Sequence, residues 1–210
     1  MKRLFVIRHG SRIDFEDKGW RSRAAAPHDP PLSELGLRQA RETGSFLQKF
    51  DLRRIYTSPF TRTMQTAAEI ASILELPLRV EPGLSEWLNP RWADFTAWAP
   101  DPLQLAQAFP RVDLSYEWLV NPRAPESEEL VCRSRLRYTA HHLAAESEGD
   151  AALVTHGIGV QTILDTLAGS ANGTDKLCGV NILQQQSQRW QLVAAVSDHL
   201  SSSESVVQFN

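Results

Sequence analysis

The sequence predicts an α/β fold in which parallel strands carry polar side chains at their carboxyl ends. Two short apolar runs, at residues 4–7 and 151–155, have the length of strands that are buried within a sheet. Each run stops abruptly at a histidine that a glycine follows, His9-Gly10 and His156-Gly157. Because the carboxyl ends of parallel strands meet at one edge of a sheet, we expect the two histidines to lie close together there.

Length and composition predict one folded domain over residues 1–210. The chain has 210 residues, of which 42% are hydrophobic and 22% are charged. This is enough for a sizeable buried core, with room for an excursion at about residues 88–125. The formal net charge of −3 argues against a nucleic acid as the partner.

The sequence has no sign of a membrane segment, a secretory signal or a cysteine-based metal site. No apolar run is long enough to cross a membrane, and Arg8 and His9 come too early for the apolar part of a signal peptide. We therefore expect a cytoplasmic protein without membrane partners. Cys132 and Cys178 are isolated, which predicts buried structural thiols rather than a zinc site or a disulfide framework.

The first histidine junction has chemistry that suits a phosphate. Arg8 and Arg12 flank His9. Nearby positive charge disfavours an imidazolium, so it should lower the pKa of His9 and leave a ring nitrogen free as a nucleophile. The same guanidiniums can hold a phosphate through paired hydrogen bonds. Taken alone, however, an Arg-His-Gly sequence is more often a loop histidine beside ordinary surface charges.

Residues 13–31 are polar and predict a long loop that ends in a proline-rich run. A long connection that directly follows a candidate nucleophile is expected to border the entrance of the site. Trp20, Arg21 and Arg23 could touch a bound ligand there. They could equally be solvated loop residues.

A helix with a serine N-cap and one buried face is predicted over about residues 33–49. A short strand at 54–57 follows, and Ser58 and Pro59 then have the pattern of an N-cap and a first helical residue. Arg62 falls in the first turn of this second helix, where a cation opposes the helix dipole. A bound anion beside Arg62 would explain its position.

A third strand is predicted at residues 78–80, with Glu86 and Trp87 just beyond its end. A carboxyl group beside a tryptophan at such a place is a candidate proton donor. Most glutamates are simply solvated, so this pair alone does not decide the question.

The composition changes between about residues 88 and 125, where prolines interrupt the pattern and a short helix is predicted at 101–109. Its crowded aromatic side chains are Trp92, Phe95, Trp98, Phe109, Tyr116 and Trp118. We interpret the segment as a lid-like insertion that packs over the site and contributes an aromatic wall. A small hydrophobic cluster beneath a long loop is an equally good interpretation.

A long helix is predicted at 126–146, before the strand that ends at His156. Its candidates for burial are Leu130, Val131, Leu136, Tyr138, His141 and Leu143. A helix at 158–167 follows His156, so the architecture of the first junction is repeated. The remaining chain predicts a hairpin over about 179–196 that turns at Ser187-Gln188, and a frayed tail from 201 onward.

These motifs resemble, in order and spacing, the histidine phosphatase superfamily, which is also called phosphoglycerate mutase-like. The motifs that carry the resemblance are Arg8-His9-Gly10, Ser58-Pro59 with Arg62 and Gln65-Thr66-Ala67, and Thr155-His156-Gly157. Within the superfamily, the chain most resembles one branch. This branch contains the phosphatase domains of the T-cell-receptor-signalling suppressors and the ecdysteroid-phosphate phosphatase, and the resemblance lies at Arg12, Asp14, Phe15, 29–32 and 81–87. The resemblance covers most of the chain and is weakest at 88–125.

The resemblance implies a three-layer fold, with a mainly parallel sheet flanked by helices and the site at the carboxyl edge of the strands. It implies that His9 is a nucleophile that becomes phosphorylated, and that Glu86 protonates the leaving oxygen and then activates water. The implied phosphoryl pocket consists of Arg8, Arg12, Arg62 and His156. No metal ion or cofactor is implied.

The expected function is that of a metal-independent phosphomonoesterase that acts on a small-molecule or protein phosphoester. Phosphoglycerate mutases of this superfamily follow their Arg-His-Gly with a serine and a Trp-Asn pair, whereas this chain has Ser11 followed by Arg12-Ile13-Asp14-Phe15 and lacks the Trp-Asn pair. This difference favours hydrolysis over a mutase-type phosphotransfer. A third hypothesis is a catalytically idle domain that binds phosphorylated ligands. We expect a phosphorylated small molecule as the partner, and a homodimer is a further hypothesis.

Overall fold

The computed structural model describes residues 2–96, 98, 100–122, 124–170 and 172–201. The strands in this part of the chain are β1 (Arg3–Arg8), β2 (Leu52–Thr57), β3 (Leu78–Val80), β4 (Asp150–Thr155), β5 (Val180–Gln186) and β6 (Arg189–Val196). The helices are α1 (Ile13–Glu16), α2 (Trp20–Arg23), α3 (Glu34–Leu47), α4 (Thr61–Leu74), α5 (Pro102–Ala108), α6 (Glu129–Glu146) and α7 (Gly157–Ala168), with a 3₁₀ turn at Pro82–Leu84. The predicted frayed tail from residue 201 onward lies outside the described residues, except for Ser201.

The strands form one six-stranded sheet in the order β3-β2-β4-β1-β5-β6. The pairs β3–β2, β2–β4 and β4–β1 are parallel, whereas β5 and β6 form an antiparallel hairpin at the edge. The hairpin turns at Ser187, whose φ of 56° lies in the left-handed region that a tight turn uses. The predicted, mainly parallel sheet and its terminal hairpin are therefore confirmed.

The register of the parallel strands aligns their carboxyl ends. Arg8 of β1 lies opposite Thr155 of β4, and the His9 N–H donates to the Thr155 carbonyl oxygen at 3.0 Å. On the other side of β4, the Ser58 N–H donates to the Val154 carbonyl oxygen at 3.1 Å. His9, Ser58 and His156 consequently leave the sheet at one edge, where the sequence predicts the two histidines to meet.

Helices cover both faces of the sheet, which makes the three layers that the sequence predicts. Side chains alternate between faces along a strand. In β1, Phe5 and Ile7 belong to the core on the side of α3 and α4, whereas Leu4 and Val6 belong to the core on the side of α6 and α7. All four are fully buried, and burial of each such side chain stabilises the fold by roughly 2 kcal/mol.

The start of α4 differs from the prediction. Ser33 caps α3 as expected, but α4 begins at Thr61, so the prediction that Ser58 is an N-cap and Pro59 a first helical residue is wrong. The carboxylate of Asp29 takes the capping role, because it accepts hydrogen bonds from the N–H of Thr61 at 2.9 Å and from its hydroxyl at 2.7 Å. A residue from a distant loop has replaced the local cap.

The buried face of α6 also differs from the prediction. Leu136 and Leu143 are buried, whereas the other four candidates, Leu130, Val131, Tyr138 and His141, are exposed. The helix begins at Glu129 rather than at 126. The helix buries Arg135 instead, because an acidic partner and backbone carbonyl oxygens on neighbouring segments are available to it.

The predicted loop at 13–31 contains the short helices α1 and α2. It is attached at its end, where the Leu32 N–H donates to the Gln65 side-chain oxygen of α4 at 2.7 Å. Both cysteines, Cys132 and Cys178, are free and buried, as predicted. None of the helices in the described part of the chain combines the length and apolar character that a membrane span needs.

Part of the excursion at 88–125 covers the outer edge of the sheet. The N–H of Leu78 in β3 donates to the Arg111 carbonyl oxygen at 2.7 Å, and the Asp113 N–H donates to the Leu78 carbonyl oxygen at 2.8 Å. Covering an edge in this way occupies backbone groups that could otherwise pair with another chain. The short helix α5 lies within the excursion, with Asp101 as its N-cap.

Candidate active site

His9 presents one defined ring nitrogen to the site. Its side chain is almost completely buried directly after β1, and its Nδ1 lies 2.8 Å from the carbonyl oxygen of Gly10. A carbonyl oxygen can only accept a hydrogen bond, so the neutral ring carries its proton on Nδ1 and keeps a lone pair on Nε2. Nε2 is therefore the nitrogen with which His9 can act as a nucleophile.

The surroundings of His9 keep its ring neutral. Burial is the main cause that lowers its pKa well below the usual value, and the positive charges of Arg62, Arg8 and Arg12 lower it further. The positive charge near His9 therefore belongs to the three guanidiniums, and the imidazole ring itself is uncharged.

The turn after β1 is held by α3 and α4. The Gly10 N–H donates to the Thr66 hydroxyl at 3.1 Å, and the Ser11 N–H donates to the Gln39 side-chain oxygen at 2.9 Å. A Cβ atom on Gly10 would lie only 2.7 Å from the Gly36 carbonyl oxygen, so a glycine is needed where α3 approaches this closely.

Arg62 is buried in the first turn of α4. Burial lowers its pKa to about 10 despite the attraction of Glu86, so the guanidinium remains charged at neutral pH. Its Nη1 lies 3.5 Å from Asp29, the residue that caps the helix. The prediction that Arg62 lies in the first turn of this helix is confirmed, and the Asp29 carboxylate lies beside it.

Arg8 and Arg12 are each anchored on one side. The Nη1 of Arg8 donates to the Asp175 carbonyl oxygen at 2.7 Å. Arg12 donates from Nε and Nη2 to the two carboxylate oxygens of Asp14, both at 2.9 Å, and its guanidinium lies over the Phe15 ring. These contacts fix the orientation of both guanidiniums while each keeps further N–H donors.

His156 lies beside His9, with 5.4 Å between the ring centroids. It is completely buried, and burial followed by the charge of Arg62 lowers its pKa well below the usual value. Its Nε2 lies 2.9 Å from the Ser58 hydroxyl, whereas its Nδ1 has no hydrogen-bond partner within the described structure. That nitrogen faces Glu86, whose Oε2 lies 3.7 Å away.

Glu86 brings a carboxylate to the same place. Its Oε1 accepts a hydrogen bond from the Trp87 N–H at 3.1 Å. Its Oε2 lies 3.8 Å from Nη2 of Arg62 and 3.7 Å from Nδ1 of His156. The structure thus gathers all the sequence-predicted site residues around one point: Arg8, His9, Arg12, Arg62, Glu86 and His156.

A pocket of about 630 Å³ is lined by Arg12, Arg62 and Glu86, whereas Arg8, His9 and His156 are not among its lining residues. Of the loop residues that the sequence offered as ligand contacts, Arg21 lines the pocket, whereas Trp20 and Arg23 do not. The Arg21 guanidinium also pairs with Asp14 at 2.9 Å, whereas Arg23 pairs with Asp17.

One wall of the pocket is aromatic. Trp87, Trp92 and Phe95 line it together with Phe60, whose ring meets His156 edge-on with 5.3 Å between centroids. Two other aromatic residues of the excursion do not line this pocket. Phe109 packs on the core, and Trp118 lines a separate groove of about 570 Å³.

Two basic side chains of the pocket, His28 and Arg91, were not anticipated from the sequence. Both lie in irregular segments rich in proline and tryptophan, where no periodic pattern marks a residue that faces inward. Within the described residues, no group of three or more histidine, cysteine or acidic side chains is arranged to hold a metal ion.

Comparison with known sequences gives matches over most of the chain. The family model described as histidine phosphatase superfamily (branch 1) matches residues 4–198. The chain is 32% identical over 181 residues to the ubiquitin-associated and SH3 domain-containing protein B of Homo sapiens, a match that covers 69% of this chain and 27% of that protein. It is 25% identical over 177 residues to a probable phosphoglycerate mutase of Yersinia pestis, with 80% of this chain and 76% of the relative covered.

The chain matches only about a quarter of the length of the first curated relatives. A solved structure with the same fold is the ecdysone phosphate phosphatase of Bombix mori in complex with tungstate. The TM-score is 0.69 at 19% identity, and the superposition covers 92% of both chains. This structural likeness concerns the fold.

Proposed function

Because the chain belongs to the histidine phosphatase superfamily, we propose that it is a metal-independent phosphomonoesterase that acts through a phosphohistidine at His9. The observation that carries the proposal is the state of His9. Its Nδ1 is engaged with the Gly10 carbonyl oxygen, so Nε2 keeps its lone pair, and three guanidiniums surround the ring. A neutral nucleophile within a cationic pocket is what attack on a phosphate dianion requires.

The first step transfers the phosphoryl group to His9. Nε2 forms a bond to phosphorus while the bond from phosphorus to the ester oxygen breaks. Arg8, Arg12 and Arg62, with Nδ1–H of His156, bind the phosphoryl oxygens and stabilise the charge that spreads over them in the transition state. The released oxygen takes its proton from Glu86.

The second step returns the site to its starting state. Glu86, now a carboxylate, accepts a proton from a water molecule whose oxygen attacks phosphorus. The nitrogen–phosphorus bond breaks, inorganic phosphate leaves, and His9 recovers its lone pair. Glu86 is protonated again, so protons and phosphate balance over the cycle.

The pocket supports a phosphorylated small molecule with an apolar or aromatic alcohol part. Trp87, Trp92 and Phe95 form a wall beside the cations that would hold the phosphate. Flat rings of this kind favour an apolar body over a polar sugar acid. Location in the cytoplasm, dimerisation and the lid-like role of residues 88–125 remain predictions from the sequence.

Brief mixing with ³²P-labelled substrate tests the phosphohistidine. With para-nitrophenyl phosphate in the presence of EDTA, we expect release of inorganic phosphate and a label on the protein that survives base but not acid. His9→Ala should abolish both. Label that survives acid, or labelling that persists in His9→Ala, contradicts the proposal. Transfer of the label to 3-phosphoglycerate instead of water would identify the mutase alternative.

Glu86→Gln tests the proton donor. An alkyl oxygen needs a proton as it leaves, whereas para-nitrophenolate is a much weaker base and largely does not. We expect the variant to slow an alkyl phosphate by roughly 100-fold and para-nitrophenyl phosphate much less. Equal losses of kcat/KM on the two substrates would mean that Glu86 only orients the phosphate.

A further inference from the structure

A buried ion pair lies behind Glu86, outside the pocket. Arg135 of α6 and Glu126, just before that helix, are both almost fully buried. The guanidinium donates from Nε and Nη2 to the two carboxylate oxygens at 2.7 and 2.9 Å. Burial of such a pair carries a large desolvation penalty, so the structure must gain something from the remaining contacts of both partners.

The remaining donors of Arg135 bind the backbone that carries Glu86. Nη1 donates to the carbonyl oxygens of Gly83 at 2.9 Å and Ser85 at 3.0 Å. Nη2 donates to the carbonyl oxygen of Glu86 itself at 3.1 Å. A planar guanidinium can serve these acceptors at once because its donors point in fixed directions.

Glu126 binds the same segment from its other end. Its Oε2 accepts a hydrogen bond from the Leu88 N–H at 3.1 Å, and its backbone carbonyl oxygen accepts one from Nε1 of Trp87 at 3.0 Å. The ion pair therefore contacts the chain on both sides of Glu86.

The segment from 85 to 88 has no helix or strand of its own to fix it. Its buried backbone groups need partners, and Arg135 and Glu126 supply them. At its start, the Leu84 carbonyl oxygen accepts a hydrogen bond from the Thr155 hydroxyl at 2.7 Å, which ties the segment to the end of β4 beside His156.

We propose that Arg135 and Glu126 are positioning residues that hold the Glu86 carboxylate opposite His156 and Arg62; this role rests on the proposed phosphatase function. A proton donor acts only within hydrogen-bond reach of the leaving oxygen. Loss of the pair would let the 85–88 backbone move, so that Glu86 no longer occupies that position. The phosphate-binding guanidiniums, which other elements carry, would stay in place.

The test uses Arg135→Lys and Glu126→Gln, which keep charge or shape while removing hydrogen bonds. Arg133→Lys is the matched control, because Arg133 lies on the same helix and forms an ion pair with Glu129 at 2.6 Å without contacting the Glu86 segment. For both test variants we expect kcat/KM for glycerol 2-phosphate to fall by roughly 20-fold or more and kcat/KM for para-nitrophenyl phosphate by much less, because kcat/KM reports the step in which the leaving oxygen is protonated. The inhibition constant of inorganic phosphate should not change, and the control should behave as the unaltered enzyme does.

Combination with Glu86→Gln separates positioning from general stability. If the pair acts through Glu86, adding Arg135→Lys to Glu86→Gln should cause no further loss on the alkyl phosphate. Equal losses of kcat/KM on both substrates, or losses that multiply in the combined variant, would overturn the proposal.

Should Arg135→Lys fail to fold, as judged by circular dichroism and thermal melting, Glu126→Gln carries the test alone. Absence of phosphohistidine in the unaltered enzyme would overturn the proposed function itself, and the labelling experiment detects that failure separately.

Discussion

At the scale of single residues, the site depends on which ring nitrogen each histidine presents. The Gly10 carbonyl oxygen accepts a hydrogen bond from Nδ1–H of His9, which leaves the lone pair on Nε2 for the proposed attack on phosphorus. His156 has the same Nδ1–H form when the Ser58 hydroxyl donates to its Nε2, but here the protonated nitrogen is the one without a protein partner, and it faces Glu86. One histidine can therefore attack while its neighbour donates a hydrogen bond to the phosphoryl group.

Ser58→Ala tests this arrangement of His156. Removal of the hydroxyl leaves a buried ring nitrogen without its partner and no longer selects the Nδ1–H form. We expect kcat/KM to fall by roughly 10-fold, which corresponds to about 1.4 kcal/mol, the scale of one lost hydrogen bond. Steady-state kinetics with para-nitrophenyl phosphate measures the effect.

Ser85→Ala is the matched control for Ser58→Ala. The Ser85 hydroxyl is also buried in this region, but it has no hydrogen-bond partner among the described residues. Its removal should leave kcat/KM unchanged. Equal rates for the two alanine variants would contradict the role of Ser58.

At the scale of elements, the proposed catalytic side chains come from four separate segments, one of which carries Arg8, His9 and Arg12 together. His9 follows β1, Arg62 lies in α4, Glu86 follows the 3₁₀ turn, and His156 precedes α7. The aligned carboxyl ends of the strands bring the first and last of these together, as α/β folds commonly do. The excursion adds Trp92 and Phe95 to the aromatic wall of the pocket.

Trp92→Ala tests the contribution of the excursion to substrate choice. The Trp92 side chain is 53% exposed, lines the pocket and meets Trp87 edge-on with 5.3 Å between ring centroids. Loss of about 1 kcal/mol of apolar contact should raise KM for naphthyl phosphate by roughly fivefold, with kcat unchanged. KM for glycerol 2-phosphate, which has no ring, should stay the same.

Trp118→Ala is the matched control for this prediction. Trp118 belongs to the same excursion but lines the separate groove beside β3. The variant should keep the KM of both substrates. A KM for naphthyl phosphate that is equal in both variants would show that the wall does not contact the substrate.

At the scale of the whole molecule, the two buried histidines make the stability depend on pH. Burial is the first cause that lowers the pKa of both His9 and His156 in the folded chain, whereas the unfolded chain binds protons at each near pH 6.5. Below that pH the unfolded state binds more protons than the folded state. The free energy of unfolding should therefore fall with decreasing pH, by up to about 1.4 kcal/mol per pH unit for each histidine.

Urea unfolding between about pH 7.5 and 5.5 measures this dependence, with His156→Asn as the comparison. In the variant, the free energy of unfolding should change less steeply with pH, because one of the two buried histidines no longer contributes. Burial raises the pKa values of Asp29 and Glu81, which gives a dependence of opposite sign, but this contribution is the same in both proteins and cancels. Identical slopes would mean that His156 binds protons equally in the folded and unfolded states, which contradicts a lowered pKa in the folded chain.

Local sequence patterns were enough to predict the strands, most helices and the meeting of His9 with His156. These features follow from local patterns, since apolar runs and glycines specify a strand and its turn, and parallel strands align their ends. The spacing of Arg62 from the second strand also places that residue correctly.

The partners of the buried polar groups depend on how distant segments pack together. Asp29, and not Ser58, caps the start of α4, whereas the Ser58 hydroxyl is the partner of His156. Arg135 has the pattern of a surface residue, yet it is buried because Glu126 and three carbonyl oxygens meet its guanidinium. A buried polar group must find partners in space, and those partners come from segments whose approach no local pattern encodes.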